Sequence, residues 1–144
     1  MKEKVLVIES DTYERGILYK VFSGKYKLTF TASVEEAIEI SKKSPHKVMI
    51  YDMESPDAQA LKNLKKLKEE DEMETPIITI ISENTLEGEN AVRGIGVFYY
   101  LIKPYNFRDL EELIIGAFSV WDRKYGNNNN NSMQDKDQLN ANPK

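Results

Sequence analysis

Five short strand-like runs, each followed by a stretch with helical spacing, constrain this chain more than any other feature. The runs are Val5-Leu6-Val7-Ile8, Lys27-Leu28-Thr29-Phe30-Thr31, Val48-Met49-Ile50-Tyr51, Ile77-Ile78-Thr79-Ile80-Ile81 and Phe98-Tyr99-Tyr100-Leu101-Ile102. Unbroken apolar runs of this length suit strands covered on both faces. The second run alternates and reads as a more exposed strand. Between them lie helices. Asp11 or Thr12 caps one that reaches Phe22. Ser33-Val34-Glu35-Glu36 is a capping box opening another, with Val34, Ala37, Ile38 and Ile40 inward. Leu61, Leu64 and Leu67 mark a third over 58–70, and a weaker one, interrupted by Gly88 and Gly94, covers 84–95. The last runs over 108–125 and buries Leu110, Leu113, Ile114, Ala117 and Phe118. Strands that alternate with helices imply an α/β fold with a parallel sheet and right-handed crossovers.

The pattern stops at Tyr125. We expect residues 1–125 to form one domain and 126–144, with five consecutive asparagines and Leu139 as its one large aliphatic residue, to be a disordered Asn-rich polar tail. The chain has no cysteine and one histidine, His46, which excludes disulfides, thiolate metal sites and multi-histidine clusters. The absence of cysteine fits a reducing cytoplasm, the expected location. No apolar run approaches the ~20 residues that span a membrane, and Glu9 ends the first run too soon for a signal peptide. With a net charge of −4 there is no basic field for nucleic acid. The lysines at 62, 65, 66 and 68 are followed at once by acids at 69–72 and read as a solvated helix face.

In parallel sheets, ligands bind at the carboxyl ends of the strands. Those ends carry Glu9 and Asp11 after the first strand, Asp52 after the third and Lys103 after the fifth. Singly, each charge needs only water. Together at one sheet edge, carboxylates with a lysine suit a hard cation and a phosphoryl group: magnesium prefers oxygen ligands, and an ammonium pairs with phosphoryl oxygens. A flavin or nucleotide binder would cradle phosphate on Gly, Ser or Thr amides after the first strand, where this chain has acids.

Three segments carry a resemblance. Val5 through Asp11, Tyr51-Asp52-Met53-Glu54-Ser55-Pro56 and Tyr100-Leu101-Ile102-Lys103-Pro104-Tyr105 resemble the acidic turn, the phosphoacceptor strand with its Asp-x-x-x-Pro loop, and the Lys-Pro motif of the receiver domains of two-component response regulators. The likeness covers residues 4 to about 122. It implies a flavodoxin-like doubly wound sheet of five parallel strands in the order 2-1-3-4-5 with five helices. It implies Asp52 as phosphoacceptor, Lys103 as its phosphoryl contact across a cis Lys103–Pro104 bond, and Glu9, Asp52 and the backbone carbonyl of Glu54 as ligands of Mg2+. The Glu54 side chain could also lie over the pocket. Tyr100 matches the aromatic that changes rotamer on activation.

There are departures. Ser10 stands where a second acid is usual, so Mg2+ is expected to bind weakly or not at all unless Asp11 compensates or caps the helix instead. Counting from Pro76 and Lys103 puts Ile81, which has no hydroxyl, at the usual Thr or Ser switch position; a shift of one residue gives that role to Ser82. Ile81 is also expected to fill the space that Tyr100 would enter. Gln59-Ala60 replaces the usual Asp-Gly at the start of the third helix.

Two readings stay open. One is a signalling receiver, phosphorylated on Asp52 by a sensor histidine kinase or phosphotransfer protein, with no output domain in this chain. Its only enzymatic step would be aspartyl self-phosphorylation from a phosphohistidine donor. The other is a pseudo-receiver, a binding module not switched by phosphorylation. Either way the resemblance implies a downstream protein, or a second copy in a homodimer, on the helix 4–strand 5–helix 5 face, with Tyr99 or Tyr100, Tyr105 and Arg108 on it. No direct nucleic-acid contact and no membrane contact are expected.

Overall fold

The computed structural model describes residues 1–126; the expected tail, beyond Gly126, lies outside them. The chain runs β1 (Glu3–Ile8), α1 (Thr12–Phe22), β2 (Tyr26–Thr31), α2 (Val34–Lys43), β3 (Val48–Glu54), α3 (Ala58–Glu70), β4 (Ile77–Ile81), α4 (Leu86–Ile95), β5 (Tyr99–Ile102) and α5 (Phe107–Tyr125). All neighbouring strands are parallel and the order is β2-β1-β3-β4-β5, as the resemblance implied.

The period-two alternation of strand side chains divides the core in two. Leu6, Met49, Ile77 and Tyr100 point to the face covered by α2, α3 and α4, where Leu64, Leu67 and Val92 are buried. Val5, Val48, Ile50 and Ile78 point to the face covered by α1 and α5, where Leu18, Leu110 and Ile114 are buried. Each apolar strand is therefore covered on both sides, which is why its sequence runs unbroken. Leu113 and Phe118, expected inside, are only partly buried.

The caps set the element limits. Side chains of Asp11, Ser33, Asp57, Thr85 and Asn106 accept backbone N–H groups in the first turns of the five helices. Thr85 starts α4 two residues later than the expected 84, and Gly96, with φ 101°, ends it. The largest difference from the sequence reading is β3, which continues through Glu54. Its register against β4 shifts between Asp52 and Glu54, a bulge, and Glu54 has φ 65° in the left-handed region. At Gly88 the α4 backbone comes against the Pro56 ring so closely that a Cβ would overlap it.

Candidate functional site

The strands deliver their acids by parity. Glu9 continues the alternation of Val5 and Val7, Asp52 that of Val48 and Ile50, and Lys103 that of Leu101. All three side chains thus leave the sheet on the side of α1 and α5, at the carboxyl ends of the strands. They line an open cavity of about 400 Å³ with Ser10, Asp11, Glu14, Met53 and Glu54.

Lys103 Nζ lies 2.9 Å from Asp52 Oδ2 and 3.5 Å from Glu14 Oε1. The Asp52 side chain is 7% exposed and that of Lys103 28%, so the pair is shielded yet open to a small reactant. The Lys103–Pro104 peptide is cis. Burial by itself would lower the Lys103 pKa, but its bond to Asp52 and the nearby charges of Glu14 and Glu9 outweigh it and hold the ammonium above its usual value. Glu9 is 5% exposed. Its Oε2 accepts the Asp11 N–H at 3.1 Å. Burial, a hydrogen bond shared with Asp52 and repulsion from that carboxylate push the Glu9 pKa up to about 8, against the opposing pull of the Asp11 amide and Lys103. Two carboxyls this close mark a place where negative charge exceeds its compensation.

Glu14 is the residue that the sequence reading missed. One carboxylate oxygen each from Glu9, Glu14 and Asp52 lies within 4.8 Å of the others, the one such group of three among the described residues. In sequence, Asp11-x-x-Glu14 reads as a capping box, which would turn Glu14 back to the Asp11 amide; in the structure that amide goes to Glu9 instead. Asp11 caps α1 through Oδ1, which accepts from Tyr13 and Glu14 N–H, and it is not one of the three converging carboxylates. Ser10 itself is exposed at the cavity.

Glu54 is not brought into the carboxylate group. Its carbonyl accepts from Ser82 N–H at 2.7 Å and Glu83 N–H at 2.9 Å. Both lone pairs are thereby used, and the β3–α3 and β4–α4 loops are tied together. Glu54 is exposed and is among the residues that line the cavity.

Ile81 is fully buried, pairs with Ile102 in register and accepts the Lys103 N–H on its carbonyl at 2.8 Å. Ser82 is exposed in the loop that follows, with its amide turned to Glu54. Register therefore keeps Ile81 at the end of β4. Tyr100 is 3% exposed and packs in the same cluster as Ile81. The expectation that Ile81 would keep Tyr100 out is corrected: the α2–α4 side accommodates both. Arg93 lies over the Tyr100 ring, 5.7 Å from its centroid. Tyr100 is thus not part of the outer surface; Leu86, Tyr99 and Ile102 are exposed there. Tyr105 turns to the other side, where with Ile17, Leu18 and Phe107 it lines a more apolar hollow of about 240 Å³ beside the acidic cavity.

Comparison with known proteins gives one consistent picture. A family profile described as "Response regulator receiver domain" matches residues 5–115. The "Probable transcriptional regulator ycf27" of Porphyridium aerugineum is 27% identical over 129 residues, covering 89% of this chain and 53% of that protein. The "Response regulator protein PilR" of Pseudomonas aeruginosa is 26% identical over 121 residues, covering 83% of this chain and 27% of that protein. The chain therefore spans about half or less of the length of these curated relatives. Among solved structures, a CheY-like response regulator receiver domain protein from Methanospirillum hungatei superposes with a TM-score of 0.75 at 19% identity, over 86% of this chain and 99% of that one.

Proposed function

The chain belongs to the response regulator receiver domain family of two-component signalling, and on that premise we propose that Asp52 is its phosphoacceptor. The observation that carries this reading is the Lys103–Asp52 pair, 2.9 Å apart at the end of a buried central strand. An Asp52 oxygen would attack the phosphorus of a phosphohistidine, forming an acyl phosphate as the P–N bond breaks and the imidazole nitrogen takes up a proton. Lys103 would follow the phosphoryl oxygens as its carboxylate partner becomes the acyl phosphate. Catalysis of this kind is mostly positioning and charge stabilisation, which a shielded carboxylate beside a fixed ammonium supplies.

The donor set suits a hard divalent cation: clustered carboxylate oxygens and no nitrogen or sulfur ligand. Glu9 and Asp52 would hold Mg2+, which when bound neutralises charge on the phosphoryl oxygens. The phosphodonor would be a sensor histidine kinase or a phosphotransfer protein. The downstream partner would meet the α4–β5–α5 surface, where Leu86, Tyr99 and Ile102 are exposed and Arg108 stands at the start of α5; aromatic and arginine side chains are common interface anchors. The pseudo-receiver reading is not favoured by the family match or by the retained Asp52–Lys103 pair.

The test is incubation of the full chain with acetyl phosphate and magnesium. An acyl phosphate, released by hydroxylamine, is expected. No adduct from any small phosphodonor, or one that resists hydroxylamine, contradicts the reading.

A further inference from the structure

We infer that Glu14 supplies the carboxylate that Ser10 lacks, so that the cation site of this domain is built from Glu9, Asp52 and Glu14. The inference rests on reading the cavity as the phosphoacceptor site, and it adds a ligand to that site from a different element, the first turn of α1.

Five observations carry it. The three carboxylates converge within 4.8 Å. The neighbours that could otherwise provide the missing donor are committed elsewhere: Asp11 caps α1, and both lone pairs of the Glu54 carbonyl are used by Ser82 and Glu83. Glu14 does not close the capping box, because the Asp11 amide donates to Glu9. Its carboxylate, 37% exposed, meets Lys103 only at the long distance of 3.5 Å, a weak tie that a cation can displace. Ser10 lines the same cavity. One negative charge has moved from the strand end to the helix, and the formal charge of the donor set is kept.

The experiment is calorimetric titration of MgCl2 into the full chain and its variants, with circular dichroism to confirm that each is folded. Glu14→Gln is expected to weaken magnesium binding by roughly tenfold to a hundredfold, the effect of one charged ligand contact. Adding Ser10→Asp to Glu14→Gln is expected to recover most of the loss. A Glu14→Gln chain with native affinity, while Asp52→Asn loses binding, overturns the inference and leaves the phosphoacceptor reading standing. A loss that Ser10→Asp does not recover also overturns it, since Glu14 would then act by positioning Lys103. No saturable binding to the native chain overturns both the inference and the magnesium part of the reading.

Discussion

The Tyr100 hydroxyl donates to Asn84 Oδ1 at 2.6 Å. A loop residue between β4 and α4 thus holds the β5 aromatic inward, under Arg93 and against the cluster that contains Ile81. A phosphoryl group on Asp52 would meet no hydroxyl from Ile81, and a ligand that does not discriminate between two arrangements shifts neither. The α4–β5 region is therefore expected to respond weakly to phosphorylation. In NMR spectra with and without beryllofluoride, shifts there should be small in the native protein and larger in Ile81→Thr, at a stability cost on the order of 1–3 kcal/mol for the buried change. Large native shifts would mean that Ser82 provides the hydroxyl after all.

Gly88 lets α4 rest on Pro56, in the loop that follows the phosphoacceptor strand. Alanine would gain about 1 kcal/mol of helix propensity, but its Cβ meets a rigid ring. Gly88→Ala should lower the unfolding midpoint by an overpacking cost of roughly 1–3 kcal/mol. It should also perturb the amides of residues 53–57. A stabilised variant with an unchanged loop would show that the contact does not hold the two elements.

Glu9 gives the protein a pH signature. Its carboxyl keeps a proton up to about 8 in the folded state, against 4.5 unfolded. Between these values the folded chain binds more protons, so stability falls as pH rises through the window. His46, buried and held below its usual pKa first by desolvation, acts in the opposite sense: it adds stability that is lost as pH falls below its ordinary value of 6.5. The Glu9 contribution is read as the difference between native and Glu9→Gln, both of which keep His46. Without divalent cations, Glu9→Gln should be the more stable at pH 8, on the order of 1–3 kcal/mol. Urea midpoints from pH 5 to 8.5 test this; a native chain that gains on Glu9→Gln as pH rises contradicts it.

Most of the architecture is legible in the sequence because it depends on local rules. Ala58–Glu70 and Ile77–Ile81 match the expected elements end to end, since three-residue leucine spacing and a run of isoleucines after Pro76 leave little choice. Asp52, Glu9 and Lys103 follow from strand ends and family motifs. The misses all depend on partners distant in sequence. The β3 bulge and the turned carbonyl of Glu54 arise from pairing with the β4–α4 loop. The inward Tyr100 needs Asn84, which no motif marks. Glu14 is hidden because a local rule, the capping box, offers an adequate explanation that the fold does not use.

The central claim is that Asp52, held by Lys103, accepts the phosphoryl group. Intact-mass spectrometry of the native chain, Asp52→Asn and Lys103→Ala after exposure to acetyl phosphate with magnesium tests it directly. The account predicts a single phosphoryl adduct on the native chain, none on Asp52→Asn, and about a tenth or less of the native yield on Lys103→Ala, since one charge-assisted contact of more than about 1.4 kcal/mol is lost. An adduct that persists in Asp52→Asn, or a native chain that stays unmodified, would contradict it.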